Sequence, residues 1–229
     1  MPTHFSVLEG AYLRDLLAQP QALTDTVAGL RALPPLPERA LAGQRIVLTG
    51  LGSSLHGLYP LHLRLVRAGL TACMVETGEL VHTQSTLLGG RTLVIAVSQS
   101  GRSVEMVQLL DLIGAREARP FVIGVTNTPD SPLALRADTV VPLRAGAEFS
   151  VSCKTYLATL VALEWLGDTL TGDDPAGGLR EADQAAPAVQ GYLAGWRAHV
   201  AHLAGEFAGL RHLFLLGRGA SLAAAGTGA

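Results

Sequence analysis

The chain has 229 residues, 48% of them apolar and 16% charged, which is ample material for a sizeable core and excludes a disordered chain. Its 17 Lys and Arg residues stand against 19 Asp and Glu, a net charge of -2, so no general affinity for nucleic acid or for an anionic membrane is expected. Two cysteines, Cys73 and Cys153, are too few for a disulfide framework or a zinc site, and no apolar run nears the roughly 20 residues that span a bilayer.

The N-terminus, Met1-Pro2-Thr3-His4, carries no charged-then-apolar signal pattern, so the cytoplasm is the expected location. Residues 1–37 read as a helical arm. Leu8, Tyr12, Leu16 and Leu17 recur at helical spacing, as do Leu23, Val27 and Leu30, with Pro20 between the two sets. Pro34-Pro35-Leu36-Pro37 cannot continue a helix. The arm is too short to hold a DNA-binding domain of ordinary size.

A strand-helix alternation follows over 38–172. The runs Arg45–Gly50, Thr71–Glu76, Thr92–Val97, Phe121–Thr126 and Thr139–Leu143 are apolar throughout rather than alternating. That pattern marks strands covered on both faces, as in a parallel sheet. Helical patterns lie between them, at Leu58–Val66 and Val104–Ile113, and a long helix is expected from Lys154 to Leu170 with Leu157, Leu160, Val161, Leu163 and Trp165 buried. The fold class is therefore α/β, doubly wound. Thr171–Gly178 reads as a breaker-rich linker and 188–203 as a further helix. His212–Ser221 then repeats the theme of Ile46–Ser54, an apolar strand, a glycine turn and a serine. Residues 173–229 are thus expected to be a linker, a helix and the truncated start of a second, similar domain.

Ligands of an open parallel sheet bind beyond the carboxyl ends of its strands. Three polar turns fall there: Gly50-Leu51-Gly52-Ser53-Ser54, Ser98-Gln99-Ser100-Gly101-Arg102-Ser103, and Thr126-Asn127-Thr128-Pro129-Asp130. The second turn puts three hydroxyls in six residues before a helix start, where N–H groups are unpaired and partly positive. Gly101 lets the backbone approach an anion closely. Such a turn either caps its helix or forms a phosphate nest. The neighbouring Gly52-Ser53-Ser54 favours the nest. Position 55 is leucine where a dinucleotide fingerprint has glycine, and no Walker lysine is present. Glu148-Phe149-Ser150-Val151-Ser152-Cys153-Lys154 offers Glu148 and Lys154 as candidates for acid-base chemistry, with the catalytic residues otherwise unassigned. Ser150 or Ser152 can instead cap the long helix, with Glu148 a surface carboxylate. The seven histidines show no metal-ligand spacing.

With these segments in place, residues 8–229 resemble the sugar isomerase (SIS) domain superfamily. They look like the isomerase part of glutamine-fructose-6-phosphate aminotransferase and its glutaminase-less relatives, which include sugar-phosphate deaminases, isomerases and fructosamine deglycases. The resemblance rests on Gly52-Ser53-Ser54-Leu55-His56, Glu79, Ser98–Ser103, Glu148–Lys154 and the lead-in Ala18–Leu23. It implies an αβα sandwich around a five-stranded parallel, flavodoxin-like sheet, two such domains per chain, and a homodimer. It implies that Ser98, Gln99, Ser100 and Ser103 hold a phosphate, that Gly52, Ser53 and Ser54 contact the sugar or its phosphate, and that Ser152 lies near the sugar hydroxyls. The loop before Lys154 is one residue shorter than in the synthase, and Arg102 stands in place of its usual Glu. The family's isomerising carboxylate, ring-opening histidine and Schiff-base lysine lie in the second domain and the tail, so none maps onto these residues.

The expected ligand is a sugar phosphate, fructose 6-phosphate or an amino-sugar phosphate, with no cofactor and no metal. The expected chemistry is aldose-ketose isomerisation, or amination or deamination, of a hexose 6-phosphate. The competing expectation is a phosphosugar-sensing module without catalysis.

Overall fold

The five apolar runs pair as a single parallel sheet in a computed structural model that describes residues 9–42, 45–149 and 151–228. The strands are β1 (Arg45–Gly50), β2 (Ala72–Glu76), β3 (Thr92–Val97), β4 (Phe121–Thr126) and β5 (Thr139–Pro142), in the order β2-β1-β3-β4-β5. Ile46 lies beside Ala72 and Leu93, Ile95 beside Ile123, and Val125 beside Val141. All six residues of β3 and of β4 are buried, which is why their sequences show no polar alternation. The edge strand β2 is mostly half-buried.

The arm forms α1 (Ala11–Leu17) and α2 (Gln19–Arg31), with Pro20 at the start of α2 where its missing N–H costs nothing. After α3 (Glu38–Leu41), the sheet connections are α4 (Ser53–Arg67), α5 (Thr77–His82), a 3-10 turn (Ser85–Leu87), α6 (Val104–Gly114) and α7 (Pro132–Arg136). Then come α8 (Lys154–Thr171), α9 (Pro175–Ala194), α10 (Trp196–Glu206) and α11 (Ser221–Gly228).

The helices divide between the two faces of the sheet. Leu30 of α2, Leu58 and Leu65 of α4, and Ala158, Ala162 and Leu166 of α8 pack on Leu48, Ile95 and Ile123. Leu80 of α5, Met106 and Leu109 of α6, and Leu133 of α7 pack on Val47, Val94 and Val122. Each fully buried leucine contributes about 2 kcal/mol of transfer free energy. Arg64 ties α4 to α8 through Glu164 at 2.7 Å and Asp168, and to the turn after α8 through Asp173.

Several elements differ from the sequence expectation. Helix α4 begins at Ser53, so Ser53 and Ser54 belong to its first turn. Toward the core α8 presents Thr155, Ala158, Thr159 and Ala162, while Leu157, Leu160 and Val161 are half-buried. Small residues there let α8 pack closely against its neighbours α2 and α4, while α9 lies along it as well. Helix α9 starts at Pro175, which shortens the expected linker, and it runs through the exposed Pro187 before Gly195 ends it. The apolar run at 212–216, expected to open a second domain, does not form a strand. Phe214 and Leu216 are 82% and 92% exposed, and no described strand lies beside them to complete a ladder. The helix that follows does form and packs on α4. No described helix is long and apolar enough to cross a membrane.

Candidate functional site

The strand order sets where a ligand fits. The chain leaves β1 toward one edge and β3 toward the other, so the order reverses between these two strands and a crevice opens beyond their carboxyl ends. Thr49 is the register partner of Ala96, so the two hydroxyl-rich turns leave adjacent strand ends about 5 Å apart. They start helices on opposite faces, α4 and α6.

On the β1 side a Cβ at Gly50 would stand 3.1 Å from the backbone of Ser54 and Leu55, so only glycine passes cleanly there. Gly52 has φ +51° and ψ -124°, a backbone that L side chains rarely adopt. Gly52 is exposed and Ser53 and Ser54 half-buried at the mouth of the crevice.

The β3 side is more tightly built. The Gly101 N–H donates to Ser98 Oγ (3.1 Å) and the Arg102 N–H to Ser100 Oγ (3.3 Å). The Gln99 carbonyl accepts from the Asn127 N–H (3.1 Å) and from Thr126 Oγ1 (3.2 Å), which anchors the turn to the end of β4. Gly101, at φ +61°, lies against Ser131 and Thr126, and its carbonyl accepts from the Leu133 N–H. Arg102 turns away to Asp130, 2.9 Å distant. Ser103 occupies the N-cap position of α6 yet makes no cap bond, and its hydroxyl is buried without a partner. An ordinary cap serine accepts from an N–H in the first turn, so a cap alone does not account for Ser103.

The third segment is held from within. The Glu148 carboxylate accepts from the N–H groups of Cys153 (3.0 Å) and Thr155 (3.2 Å) and from Thr155 Oγ1, so it caps α8 from upstream. Ser152 Oγ lies 2.8 Å from Thr155 Oγ1 and is half-buried. Ser150 lies outside the described residues. Lys154 is buried, 2.9 Å from Asp15 of α1, and donates to the Ala147 carbonyl at 2.5 Å. Burial, with the charges of Glu148 and Asp15 adding to it, pushes the Cys153 thiol up to about 11. Burial also works to raise the Asp15 carboxyl, but hydrogen bonds from Lys154 and the Phe149 N–H, with the nearby Lys154 and Arg14 charges, leave it below its ordinary value.

The register thus sets the turn that carries Gly52, Ser53 and Ser54 beside the turn that carries Ser98, Gln99, Ser100 and Ser103, at the ends of neighbouring strands. The structure engages Glu148 and Lys154 in a helix cap and an ion pair. Glu79 lies exposed on α5, accepting from Thr83 Oγ1 at 2.9 Å. A cleft of about 610 Å³ at the β5 edge is lined by Thr126, Asn127, Pro129, Val140, Pro142 and Arg144. Sequence reasoning missed three supports of the crevice. Asn127 was visible only as a turn residue, yet its side chain pins the 145–146 backbone from both sides. Thr155 and Asp15 were also missed, although a carboxylate on the inward stripe of an amphipathic helix is itself a signal.

A doubly wound five-stranded parallel sheet in this strand order, with hydroxyl-bearing helix starts at its switch point, is an α/β domain of flavodoxin-like topology. The chain belongs to the SIS domain family, whose model matches residues 42–167. It is 36% identical over 167 residues to a glutamine-fructose-6-phosphate aminotransferase (isomerizing) of Aeropyrum pernix, covering 70% of this chain and 26% of that protein. The chain therefore spans about a quarter of the length of that relative. Among solved structures it is similar to the C-terminal domain of glucosamine-fructose-6-phosphate aminotransferase from Francisella tularensis, with TM-score 0.75, 17% identity, and coverage of 95% of this chain and 65% of that one. It is also similar to glucosamine-6-phosphate deaminase from Thermotoga maritima, with TM-score 0.59, 19% identity, and coverage of 76% and 52%. At these identities the two structures establish the shared fold.

Proposed function

We propose that this chain binds a hexose 6-phosphate, fructose 6-phosphate or glucosamine 6-phosphate, with the phosphate in the Ser98–Ser103 nest. The sugar then lies toward Gly52, Ser53, Ser54 and Ser152. The observation that carries this reading is Ser103, whose buried hydroxyl lacks a partner at the start of α6 beside the switch point. Hydroxyls and first-turn N–H groups suit a phosphate monoester and need no lysine. The names of the relatives support the same substrate class.

The reaction class is proton transfer between C1 and C2 of the open-chain sugar, with or without amine transfer or release, in a homodimer. Residues 212–228 serve as the opening of a second, similar unit. In support, Gly219 repeats the positive φ of Gly52, at +56° against +51°, and Gly217 repeats the crowding of Gly50. A second reading is binding without turnover, favoured because both acid-base candidates, Glu148 and Lys154, are already engaged. Calorimetric titration with fructose 6-phosphate, glucosamine 6-phosphate and the unphosphorylated sugars tests the proposal. The phosphorylated sugars are expected to bind more tightly, and Ser98→Ala and Ser100→Ala to erase the difference. Equal affinity with and without phosphate overturns it.

A further inference from the structure

The arm touches the loop between β5 and α8 at every few residues. Thr26 Oγ1 of α2 donates to the Leu143 carbonyl, and the Arg144 stem lies against Gly29 of α2. Asp15 of α1 accepts from the Phe149 N–H at 2.9 Å through Oδ2, and its Oδ1 stands 2.9 Å from Lys154 Nζ. Lys154 in turn donates to the Ala147 carbonyl. One carboxylate therefore fixes both ends of the backbone on either side of Glu148. Glu148 then reaches the start of α8, where Ser152 and Thr155 lie.

The burial pattern of α1 points the same way. The sequence places Tyr12, Leu16 and Leu17 on the inward stripe, yet Tyr12 and Leu17 are exposed and Leu16 is half-buried. The buried residue of α1 is Asp15, at 3% exposure, against Lys154 at 7%. An apolar helix face would dock with less demand on geometry. A buried ion pair is weak support for stability but tightly specifies position, because either charge left unpaired is costly.

We propose that Asp15 is a positioning residue of the sugar-phosphate site, holding residues 147–149 and, through Glu148 and Lys154, the start of α8, so that Glu148 caps α8 and Ser152 faces the crevice. This rests on the function proposed above, but it separates the two halves of the site. The nest at 98–103 is anchored to β4 and α7 and makes no described hydrogen bond to Asp15. Loss of Asp15 therefore affects recognition of the sugar and spares recognition of the phosphate.

The test compares the full chain with Asp15→Asn, Asp15→Ala and the swapped pair Asp15→Lys with Lys154→Asp. Amide hydrogen exchange reads the Phe149 and Cys153 N–H groups, while glucosamine 6-phosphate and inorganic phosphate are titrated separately. Asp15→Asn is expected to lose protection at both amides and to weaken glucosamine 6-phosphate at least about tenfold, with inorganic phosphate binding unchanged. The swapped pair is expected to recover part of both losses. Wild-type exchange in Asp15→Asn overturns the proposal, and so does an equal loss for inorganic phosphate. Should Asp15→Ala fail to fold, Asp15→Asn, which keeps the shape and one acceptor, still decides. If the wild-type chain binds no glucosamine 6-phosphate, the proposed function fails, while exchange at Phe149 still reports whether Asp15 holds the loop.

Discussion

Gly101 and Ser131 stand so close that no side chain fits between them: a Cβ at Gly101 would come within 2.7 Å of the Ser131 Cβ, and closer still to its hydroxyl. Ser131 cannot retreat freely, since its Oγ accepts from the Ala134 N–H at 3.2 Å and caps α7. Gly101 also has φ +61°, where an alanine costs about 1–2 kcal/mol. Gly101→Ala is expected to lower the urea midpoint by more than that strain alone and to abolish sugar-phosphate binding. A variant that keeps wild-type affinity would show that the nest does not need this contact.

Ser103 predicts the opposite balance. Its hydroxyl is buried and has no partner in the folded chain, so Ser103→Ala is expected to leave stability unchanged or to raise it by about 1 kcal/mol. A hydrogen bond to a charged phosphate contributes about 1.5–3 kcal/mol, so affinity for the phosphorylated sugar falls about tenfold or more. Calorimetry and urea unfolding of the same preparation separate the two effects. A stability loss without an affinity loss assigns Ser103 to the helix cap.

Much of this architecture was legible in the sequence, and the reason is physical. Strands β1, β3 and β4 are covered on both faces, so their unbroken apolar runs fixed their bounds to the residue. Both glycine-serine turns were visible because a strand that feeds a helix through a tight turn needs residues free of a Cβ penalty. What the sequence hid was long-range pairing. Nothing local to Asp15 reports that Lys154, 139 positions later, neutralises it, and Glu148 reads equally as a surface carboxylate until the N–H groups of α8 are seen to point at it. The 212–216 run shows the limit from the other side. Its apolar pattern is that of a strand, but a strand exists only with a neighbour, and the pattern names none.

The Arg64 cluster gives a third prediction. Burial works to lower the Arg64 pKa, but Asp173, Asp168 and Glu164 outweigh it and hold the guanidinium firmly charged. Asp168 is buried, and its Oδ2 already lacks a partner. Arg64→Met leaves that carboxylate unpaired and is expected to cost about 3 kcal/mol, the lower end for a broken buried pair because Arg64 is partly exposed. Adding Asp168→Asn should restore part of the loss, since it removes the stranded charge. Additive losses in the urea midpoints of the double variant would mean that the two residues do not interact.

The thiols predict an inert surface. Burial raises the pKa of both Cys73 and Cys153, the latter to about 11. At pH 8 about one Cys153 in a thousand is then a thiolate, the form that reacts. A disulfide reagent is expected to modify neither cysteine within minutes in the native chain, and both after unfolding in urea. Fast modification of native Cys153 would show that the start of α8 opens readily.

The last prediction concerns acid. The folded-state pKa of Asp15 lies below its ordinary 3.8, so the unfolded chain takes up this proton first as pH falls. The stability conferred by Asp15 is therefore fully present above about pH 5 and is lost as pH drops through the folded value. The groups facing Asp15 are Lys154 and Phe149 of the loop and α8, Arg14 of its own helix, and Glu148 and Cys153 close behind. Other carboxylates with lowered values, such as Asp173, titrate in the same direction, so the pH profile of the wild type alone is not diagnostic. The difference between wild type and Asp15→Asn cancels those shared terms. Urea unfolding of both from pH 7 to pH 3 is expected to show a constant gap at neutral pH that closes below pH 4. A gap that stays the same down to pH 3 would mean that Asp15 acts through its shape and not its charge, and that the ion pair with Lys154 does not hold the loop.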